Sequence, residues 1–251
     1  MSIWVTGDTH GDFRRFSTGN FPVQQEMTKE DIVIICGDFG GVWNYKDENK
    51  NEKYWLDWLD SKPFTVAFVC GNHENFDRIY SYPVKEWNGG KVHEIRPSIL
   101  HLMRGEVFTI EGKKFFTFGG ASSHDIKDGI LDPVFDAQLI AKWSRDYYKM
   151  FRVNKISWWE QELPTDEEME YGIKNLEQHE NKVDYILTHC AAASTVALMG
   201  QGLYEQDKLT KYLEKIRVGT DFKRWYFGHY HDERQINDKE ILLYEKIVRI
   251  C

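Results

Sequence analysis

The sequence predicts an α/β fold in which two mixed β-sheets pack face to face, with helices on the outside. Five short apolar runs end abruptly in glycine or in a polar side chain that can bind a metal: SIWVTGD, DIVIICGD, FTVAFVCGN, VDYILTHC and FKRWYFGHYH. Because these runs lack polar alternation, they are typical of strands covered on both faces. Stripes of apolar residues at helical spacing lie between them, as a layered α/β protein requires.

Three segments have the apolar spacing of helices. EKYWLDWLD places aromatic and leucine side chains on one helical face along residues 54–59. Thr165 and Glu168 form a predicted capping box ahead of an apolar stripe in residues 169–176. A further stripe in residues 209–216 also predicts a helix. We interpret such stripes as core-facing, without a functional role.

The remaining segments suggest the second sheet and an insertion. Residues 99–120 predict a β-meander, and the C-terminal KEILLYEKIVRI predicts a final strand that would join it. Residues 121–159 have no clear sheet pattern, so they predict an inserted loop plus a helix. We expect one domain, residues 1–251, in which the insertion or cap segment at about 121–159 lies over or beside the site. The aromatic residues of that segment are Trp143, Tyr147, Tyr148, Trp158 and Trp159.

Composition limits the classes of partner. The chain has 251 residues, 41% of them hydrophobic, and a formal net charge of −8. The acidic balance disfavours a broad nucleic-acid-binding face, although it does not exclude phosphate chemistry at a metal cluster.

No apolar stretch approaches the roughly 20 residues that cross a bilayer, and no signal sequence is evident, so we expect a cytoplasmic protein without a membrane partner. The four cysteines lack metal-binding spacing and are interpreted as reduced thiols.

Each of the five apolar runs ends in side chains that ligate metals. In chain order these are Asp8, His10, Asp38, Asn72, His73, His189, His229 and His231. Open sheets place their sites at the carboxyl ends of strands, so we expect this set to converge. Carboxylate, imidazole and amide oxygen suit divalent ions such as Mn²⁺, Fe²⁺ and Zn²⁺. Two such ions about 3.5–4 Å apart can clamp a phosphoryl group during in-line attack.

The ordered set D-x-H, GD, GNH[DE], H and GHxH resembles the calcineurin-like metallophosphoesterase family, and the resemblance extends from Asp8 to His231. It implies the same two-sheet fold and a dinuclear phosphoesterase in which a metal-bridging hydroxide attacks the phosphate ester. By resemblance, the first metal is held by Asp8, His10 and His231, the second by Asn72, His189 and His229, and Asp38 bridges the two. Manganese is the expected metal, with Fe, Zn, Ni, Co and Mg as alternatives.

The resemblance also implies that His73 stays uncoordinated and faces the substrate as a cation. Further candidate substrate contacts, beside Asn72 and His73, are Arg14, Arg15, Arg78 and His124. Three other residues near the motifs, and the glycines beside the ligands, are given structural roles. Asp12 is expected to start a helix, Glu74 to support the GNHE turn, Cys190 to be an inert buried thiol, and the glycines beside the ligands to admit sharp turns. His93, His101 and His179 match no motif and are expected to be structural or exposed.

The motifs depart from the phosphoprotein phosphatase branch, which has GDxVDRG and RGNHE where this chain has GDFGGVW and CGNHE. Gly41 stands where that branch has the carboxylate that orients the catalytic histidine, so protein phosphatase activity of that type is not expected. We expect a phosphomonoesterase acting on a small phosphorylated substrate or a nucleotide. The alternatives are a phosphodiesterase or nuclease and, less favoured, a non-catalytic metal-binding scaffold. Polynucleotide is not a favoured partner, and the oligomeric state is left open.

Overall fold

The computed structural model describes residues 1–200 and 204–251. Its strands, in chain order, are β1 Ile3–Thr6, β2 Ile32–Cys36, β3 Thr65–Val69, β4 Val84–Trp87, β5 Gly90–Arg96, β6 Ile99–Leu102, β7 Val107–Ile110, β8 Lys113–Phe118, β9 Gly129–Leu131, β10 Phe151–Val153, β11 Tyr185–Thr188, β12 Arg224–Phe227, β13 Arg234–Gln235, β14 Glu240–Leu242 and β15 Val248–Arg249. Its α-helices are α1 Lys50–Asp60, α2 Phe76–Ile79, α3 Ala137–Trp143, α4 Asp166–Gln178, α5 Ala193–Gly200 and α6 Lys208–Gly219. Short 3₁₀ helices lie at Arg14–Phe16, Pro22–Glu26 and Glu160–Glu162.

The strands form two large mixed sheets. The first has the order β15-β1-β2-β3-β6-β5-β4, and the second has the order β13-β14-β12-β11-β8-β7. Between them lies one apolar core to which both sheets contribute, for example Val5 and Ile34 from the first and Phe115 and Leu187 from the second. The predicted fold class, two mixed sheets packed as a sandwich, is therefore confirmed.

Helices cover the outer face of each sheet. Leu56 and Leu59 of α1 pack with Val33 and Phe68 on the outside of the first sheet. On the outside of the second sheet, a separate core combines side chains of α4, α5 and α6 with β8, β11 and β12. Strands with apolar side chains on both faces are thus buried on both faces, which is why β2 and β3 show no polar alternation.

The helix starts follow local capping chemistry. The Asn49 side chain accepts hydrogen bonds from the backbone amides of Asn51 and Glu52, so α1 begins there and extends beyond the predicted residues 54–59. The predicted capping box of α4 is present, with Thr165 and Glu168 exchanging side-chain and backbone hydrogen bonds. The predicted stripe in residues 209–216 lies within α6 and is buried.

The assignment of strands to sheets was wrong in three respects. The ligand-bearing runs do not share a sheet, because β1, β2 and β3 lie in the first sheet and β11 and β12 in the second. The predicted meander of residues 99–120 is also divided, since β6 pairs with β3 whereas β7 and β8 belong to the second sheet. The C-terminal segment forms β14 in one sheet and β15 in the other. Strand patterns show burial but not which neighbour a strand pairs with.

The 121–159 segment contains more than the predicted loop and helix. Its β9 and β10 form a separate two-stranded parallel sheet, with α3 between them along the chain. Its aromatic residues divide sharply: Trp159 is buried in the core outside the first sheet, whereas Tyr147 and Tyr148 are 96% and 88% exposed. A hairpin of β4 and β5, which sequence patterns did not predict, completes the edge of the first sheet.

The topology brings the strand ends together. β1, β2 and β3 run parallel, and so do β11 and β12, so the carboxyl ends of each set lie at one edge of its sheet. Every predicted ligand follows one of these five strands. Among residues 1–200 and 204–251, no helix has the length and apolar character needed to span a membrane.

Candidate metal centre

Two overlapping groups of side chains meet where the strand ends converge. Asp8, His10, Asp38 and His231 form one, and Asp38, His189 and His229 form the other; within each, one potential ligand atom per residue lies within 4.8 Å of the rest. The structure thus brings together six of the seven side chains predicted to bind metal, with Asp38 common to both groups. The seventh, Asn72, lies against Asp38, because its backbone amide donates to Asp38 Oδ1 at 2.8 Å.

The position of Asp38 suits a bridging carboxylate. Its Oδ1 lies 3.3 Å from His189 Nε2, and its Oδ2 lies 3.7 Å from His10 Nε2. Oδ1 also accepts hydrogen bonds from the backbone amides of Asn72 and His73. These two donors fix the carboxylate so that its two oxygens face different groups of ligands.

Two buried atoms of the predicted ligands have no hydrogen-bond partner among residues 1–200 and 204–251. They are His189 Nε2 and Asn72 Oδ1. His189 Nδ1 lies 2.8 Å from the Cys36 carbonyl oxygen, so Nδ1 carries a proton and Nε2 is the ring nitrogen that faces Asp38 and the cluster. The amide nitrogen of Asn72 faces Ser123 Oγ at 3.4 Å, which leaves Oδ1 directed elsewhere. Because an unpartnered buried polar atom is costly, these two atoms fit a site built for a cation.

The spacing in the first group also fits metal coordination. His10 Nε2 and His231 Nε2 are 3.0 Å apart, and His231 Nε2 lies 3.2 Å from Asp8 Oδ2. Two ligand atoms bound at about 2.0–2.1 Å to one ion lie about 2.8–3.4 Å apart across angles of about 90–110°. Imidazole nitrogens and carboxylate oxygens at this separation suit Mn, Fe or Zn.

The backbone is strained at several of these ligands. His10, Asp38, His229 and His231 all have positive φ, between 46° and 73°. Left-handed backbone in residues other than glycine is unfavourable and concentrates at functional sites. All four residues belong to the two groups of side chains, so the strain coincides with the cluster.

Close packing explains why glycines accompany the ligands. A Cβ added to Gly71 would lie 2.1 Å from Asp38 Oδ1, and one added to Gly228 would lie 2.1 Å from Asp8 Oδ1. Any side chain at either position would therefore displace a carboxylate of the cluster.

Buried acids hold the loops behind the ligands. Glu74 Oε1 accepts from the backbone amide of Phe39, and Oε2 accepts from that of Gly71, so one carboxylate joins the loops after β2 and β3. The structural role expected for Glu74 agrees with these contacts.

A second buried acid, Glu162, accepts hydrogen bonds from the backbone amide and hydroxyl of Ser123, which in turn faces Asn72. Sequence patterns gave no indication of the Ser123–Glu162 pair.

The electrostatics of the cluster are dominated by its two buried carboxylates. Burial favours neutral His189, but Asp38 and Asp8 outweigh it and raise the pKa of His189 to about 10. A hydrogen bond to Asp8 raises the pKa of His231. Burial lowers the pKa of both His10 and His229. The two carboxylates therefore stabilise positive charge on the His189 and His231 rings.

His73 lies beside the cluster without belonging to either group. Its ring is 5.0 Å from that of His10 and 5.5 Å from that of Trp43. Burial, only partly offset by Asp38, lowers the pKa of His73 to about 4, with Arg152 lowering it further. Burial thus favours the neutral imidazole, which is opposite in direction to the cation that the resemblance implies. Arg152 Nη2 lies 3.0 Å from His73 Nε2, a contact for which the sequence held no motif.

The other candidate substrate contacts divide into near and distant ones. His124 Nε2 lies 2.7 Å from His229 Nε2, at the second group. Arg15 donates to the Asp8 carbonyl oxygen and so supports the first loop. Arg14 is exposed and paired with Asp12, which also accepts from the Arg14 backbone amide at the start of the 3₁₀ helix. Arg78 pairs with Glu52 on α1 and is not brought to the cluster.

The remaining histidines and thiols have structural surroundings. His93 and His101 are buried, with their Nδ1 atoms 3.0 Å apart, and His101 Nε2 lies 3.1 Å from Cys70 Sγ. Cys190 is buried, and burial raises the pKa of its thiol to about 12, as expected for an inert thiol. All four cysteines are free.

Comparison with known proteins agrees with this geometry. The family model for calcineurin-like phosphoesterases matches residues 1–233. The chain is 27% identical over 143 residues to lariat debranching enzyme A of Xenopus laevis, covering 51% of this chain and 25% of that protein. It is 25% identical over 173 residues to the lariat debranching enzyme of Drosophila melanogaster, covering 62% of this chain and 31% of that protein. The chain thus spans about a quarter to a third of the length of these relatives. Since the family match covers nearly the whole chain, this protein belongs to the calcineurin-like phosphoesterase family, whose members are metal-dependent phosphoesterases.

Proposed function

We propose that this protein is a two-metal phosphodiesterase acting on a small diester. The observation that carries the proposal is that two separate large cavities each reach residues of the cluster. One, of about 750 Å³, reaches Asp8 and His10, and the other, of about 760 Å³, reaches His229. A diester carries two organic substituents on phosphorus, whereas a monoester carries one, so two cavities that reach the cluster favour a diester.

Both cavities offer surfaces suited to organic groups. The first is lined by Trp4, Phe21 and Tyr244, and the Tyr244 ring stacks on His231 with centroids 4.9 Å apart. The second is lined by Tyr204 and Tyr230, whose rings meet edge to face at 5.1 Å. Aromatic side chains bind planar or apolar substituents through large contact areas.

The residues proposed to hold the metals are those of the two overlapping groups. Asp8, His10 and His231 would hold one ion, Asn72, His189 and His229 the other, and Asp38 both. When bound, such a pair of ions supplies Lewis acidity to the phosphoryl group and a water-derived nucleophile near neutral pH. Mn²⁺ is the first metal to test, followed by Fe²⁺, Zn²⁺, Ni²⁺, Co²⁺ and Mg²⁺, since all accept mixed nitrogen and oxygen ligands.

The relatives support diester chemistry, because they are named for debranching lariats. At a branch point the phosphate that is cut carries an organic group on each of two ester oxygens. The formal charge of −8 supports a small substrate rather than a polynucleotide. The four free thiols support the predicted cytoplasmic location.

The test compares ester classes on one metal-reconstituted preparation. We expect kcat/KM for bis(p-nitrophenyl) phosphate to exceed that for p-nitrophenyl phosphate by at least about tenfold, which is about 1.4 kcal/mol of transition-state discrimination. Dinucleotides and oligonucleotides in the same assay separate a small diester from a nuclease substrate. A preference for the monoester would instead establish the phosphomonoesterase, and absence of turnover with both metals bound would establish the scaffold.

Two cavity-filling variants sharpen this test. Asn20→Trp narrows the first cavity and Lys127→Trp the second. If the diester occupies both, each variant lowers diester turnover more than monoester turnover. Equal effects on the two esters would show that a cavity is not used.

A further inference from the structure

A buried arginine joins the 121–159 segment to the loop that carries Asn72 and His73. Arg152 lies on β10, and its side chain is only 6% exposed. Its Nε donates to Asp125 Oδ1 at 2.6 Å, and its Nη1 donates to the carbonyl oxygens of Asn72 and Ser157, each at 3.2 Å. Its Nη2 lies 3.0 Å from His73 Nε2.

The chemistry of the pair fixes the direction of the last contact. A guanidinium has only donors and keeps its charge at any relevant pH. His73 Nε2 must therefore be the acceptor, so the imidazole proton is on Nδ1. The same guanidinium binds the carbonyl of Asn72, so it restrains a proposed metal ligand and its neighbour together.

The burial of Arg152 requires that its guanidinium be paired with acceptors. A buried charge is costly unless it is paired and its donors are satisfied, and Arg152 achieves this with acceptors from three separate segments. If Arg152 served only to fasten the insertion, Asp125 and the Ser157 carbonyl, both within the insertion, would provide its partners. Its contacts to Asn72 and His73 lie outside the insertion and next to the cluster.

We infer that Arg152 is the positioning residue for His73: it holds the neutral imidazole with its proton on Nδ1 and places a fixed positive charge beside it. This inference rests on the proposed function, because it assigns to Arg152 the charge beside the phosphoryl group that His73 was expected to carry. His73 then contributes an oriented hydrogen-bond donor and not a transferable proton. Its contribution to turnover consequently does not depend on the leaving group.

The first experiment measures the tautomer without using activity. In Zn²⁺-loaded protein labelled with ¹⁵N-histidine, the His73 signals, identified by their loss in His73→Gln, should show a protonated Nδ1 and an unprotonated Nε2. Arg152→Met should abolish this single-tautomer pattern while Zn²⁺ content is unchanged. A protonated Nε2 in the wild type, or the same pattern in Arg152→Met, would overturn the inference even if the protein hydrolyses diesters.

The second experiment measures coupling by a double-mutant cycle. Arg152→Met and His73→Ala should each lower kcat by about 10²-fold, the scale of a lost oriented donor, and the double variant should lose little more than either one. Arg152→Lys keeps the positive charge but lacks the planar set of guanidinium donors, so its kcat should lie between those of Arg152→Met and the wild type. Fully additive losses, or loss of Zn²⁺ in Arg152→Met, would show that Arg152 does not act through His73.

A matched control separates this effect from general destabilisation. Arg96 is also largely buried and donates to Glu48, Asp57 and its neighbour Ile95, away from the cluster. Arg96→Met should leave the His73 tautomer and kcat unchanged, and a change in either would overturn the assignment. Wild-type protein inactive on both ester classes would contradict the proposed function, whereas the tautomer measurement would still decide the role of Arg152.

Discussion

The loops after the five ligand-bearing strands and the 121–159 segment reach the same site by different means. In the loops, the backbone ends a buried parallel strand and places a ligand at once, so short motifs such as GDTH and GHYH carry the information. In the segment, His124 and Arg152 reach the cluster from loop and edge-strand positions that no motif marks. The difference indicates that the proposed metal ligands are set by local geometry, whereas the proposed substrate contacts depend on how the 121–159 segment folds back.

The largest expected effect tests the shared ligand of the loops. Asp38→Ala removes the carboxylate that faces both groups, so metal content should fall at both positions and kcat by at least about 10²–10³-fold. Metal analysis and kinetics on the same preparation measure this. Asp12→Ala, which removes an exposed acid paired with Arg14, should retain both metals. Full metal content in Asp38→Ala would contradict the bridging assignment.

Within the 121–159 segment, burial should separate structural from exposed aromatics. Trp159→Ala should lower the free energy of unfolding by about 3–5 kcal/mol, because Trp159 fills the core outside the first sheet. Tyr147→Ala and Tyr148→Ala should change it by no more than about 0.5 kcal/mol. Urea denaturation measures all three. A small effect at Trp159 would mean that the segment is not anchored through this side chain.

Metal removal should affect the loops more than the segment. At metal concentrations 100 times Kd, binding adds about 2.7 kcal/mol to stability, so chelation should lower Tm and readdition of Mn²⁺ should restore it. Hydrogen exchange should show lost protection around Asp38, Asn72 and His189 while the β9–β10 pair changes less. Equal loss in both regions would indicate that the segment is itself organised by the metals.

Glycine packing around the carboxylates gives a smaller, local effect. Gly71→Ala forces a Cβ against Asp38 Oδ1, so we expect a loss of about 1–3 kcal/mol in stability and about 10–100-fold in metal affinity. Gly219→Ala is the control, because an added Cβ there would meet no atom within 4 Å from the described residues outside its own helix and chain neighbours. Calorimetric metal titration measures the affinities. Unchanged affinity in Gly71→Ala would mean that Asp38 can move without cost.

The smallest expected effect concerns pH and lies outside both regions. Burial, with His93 and Arg104 adding to it, holds the pKa of His101 well below its ordinary 6.5. The folded state thus binds fewer protons than the unfolded state below pH 6.5, and the contribution of neutral His101 is complete above 6.5 and declines as pH falls through that value. Its slope is at most about 1.4 kcal/mol per pH unit.

The measurement compares urea denaturation of wild type and His101→Leu between pH 7.5 and 5.5 at constant saturating metal. The variant should have the flatter dependence, whereas His179→Asn, at a more exposed position, should remain close to wild type. An unchanged slope in His101→Leu would show that His101 does not carry this dependence.

The sequence by itself determined the two-sheet fold class, the five strands, the family, and the residues proposed as ligands. It could do so because a buried strand is a continuous apolar run and a ligand directly follows it, so both signals are local. Asn49, Thr165 and Glu168 likewise start their helices through contacts with near neighbours.

Only the tertiary structure decided which sheet each strand joins, where the cavities at the cluster lie, and that Arg152 lies beside His73. Strand pairing depends on partners far apart in the chain, as β14 and β15 show by joining different sheets. Arg152 and His73 are separated by 79 residues, and the charge state of an imidazole depends on its burial and neighbours. Such long-range contacts leave no fixed spacing in the sequence, and so they could be identified only after the chain was folded.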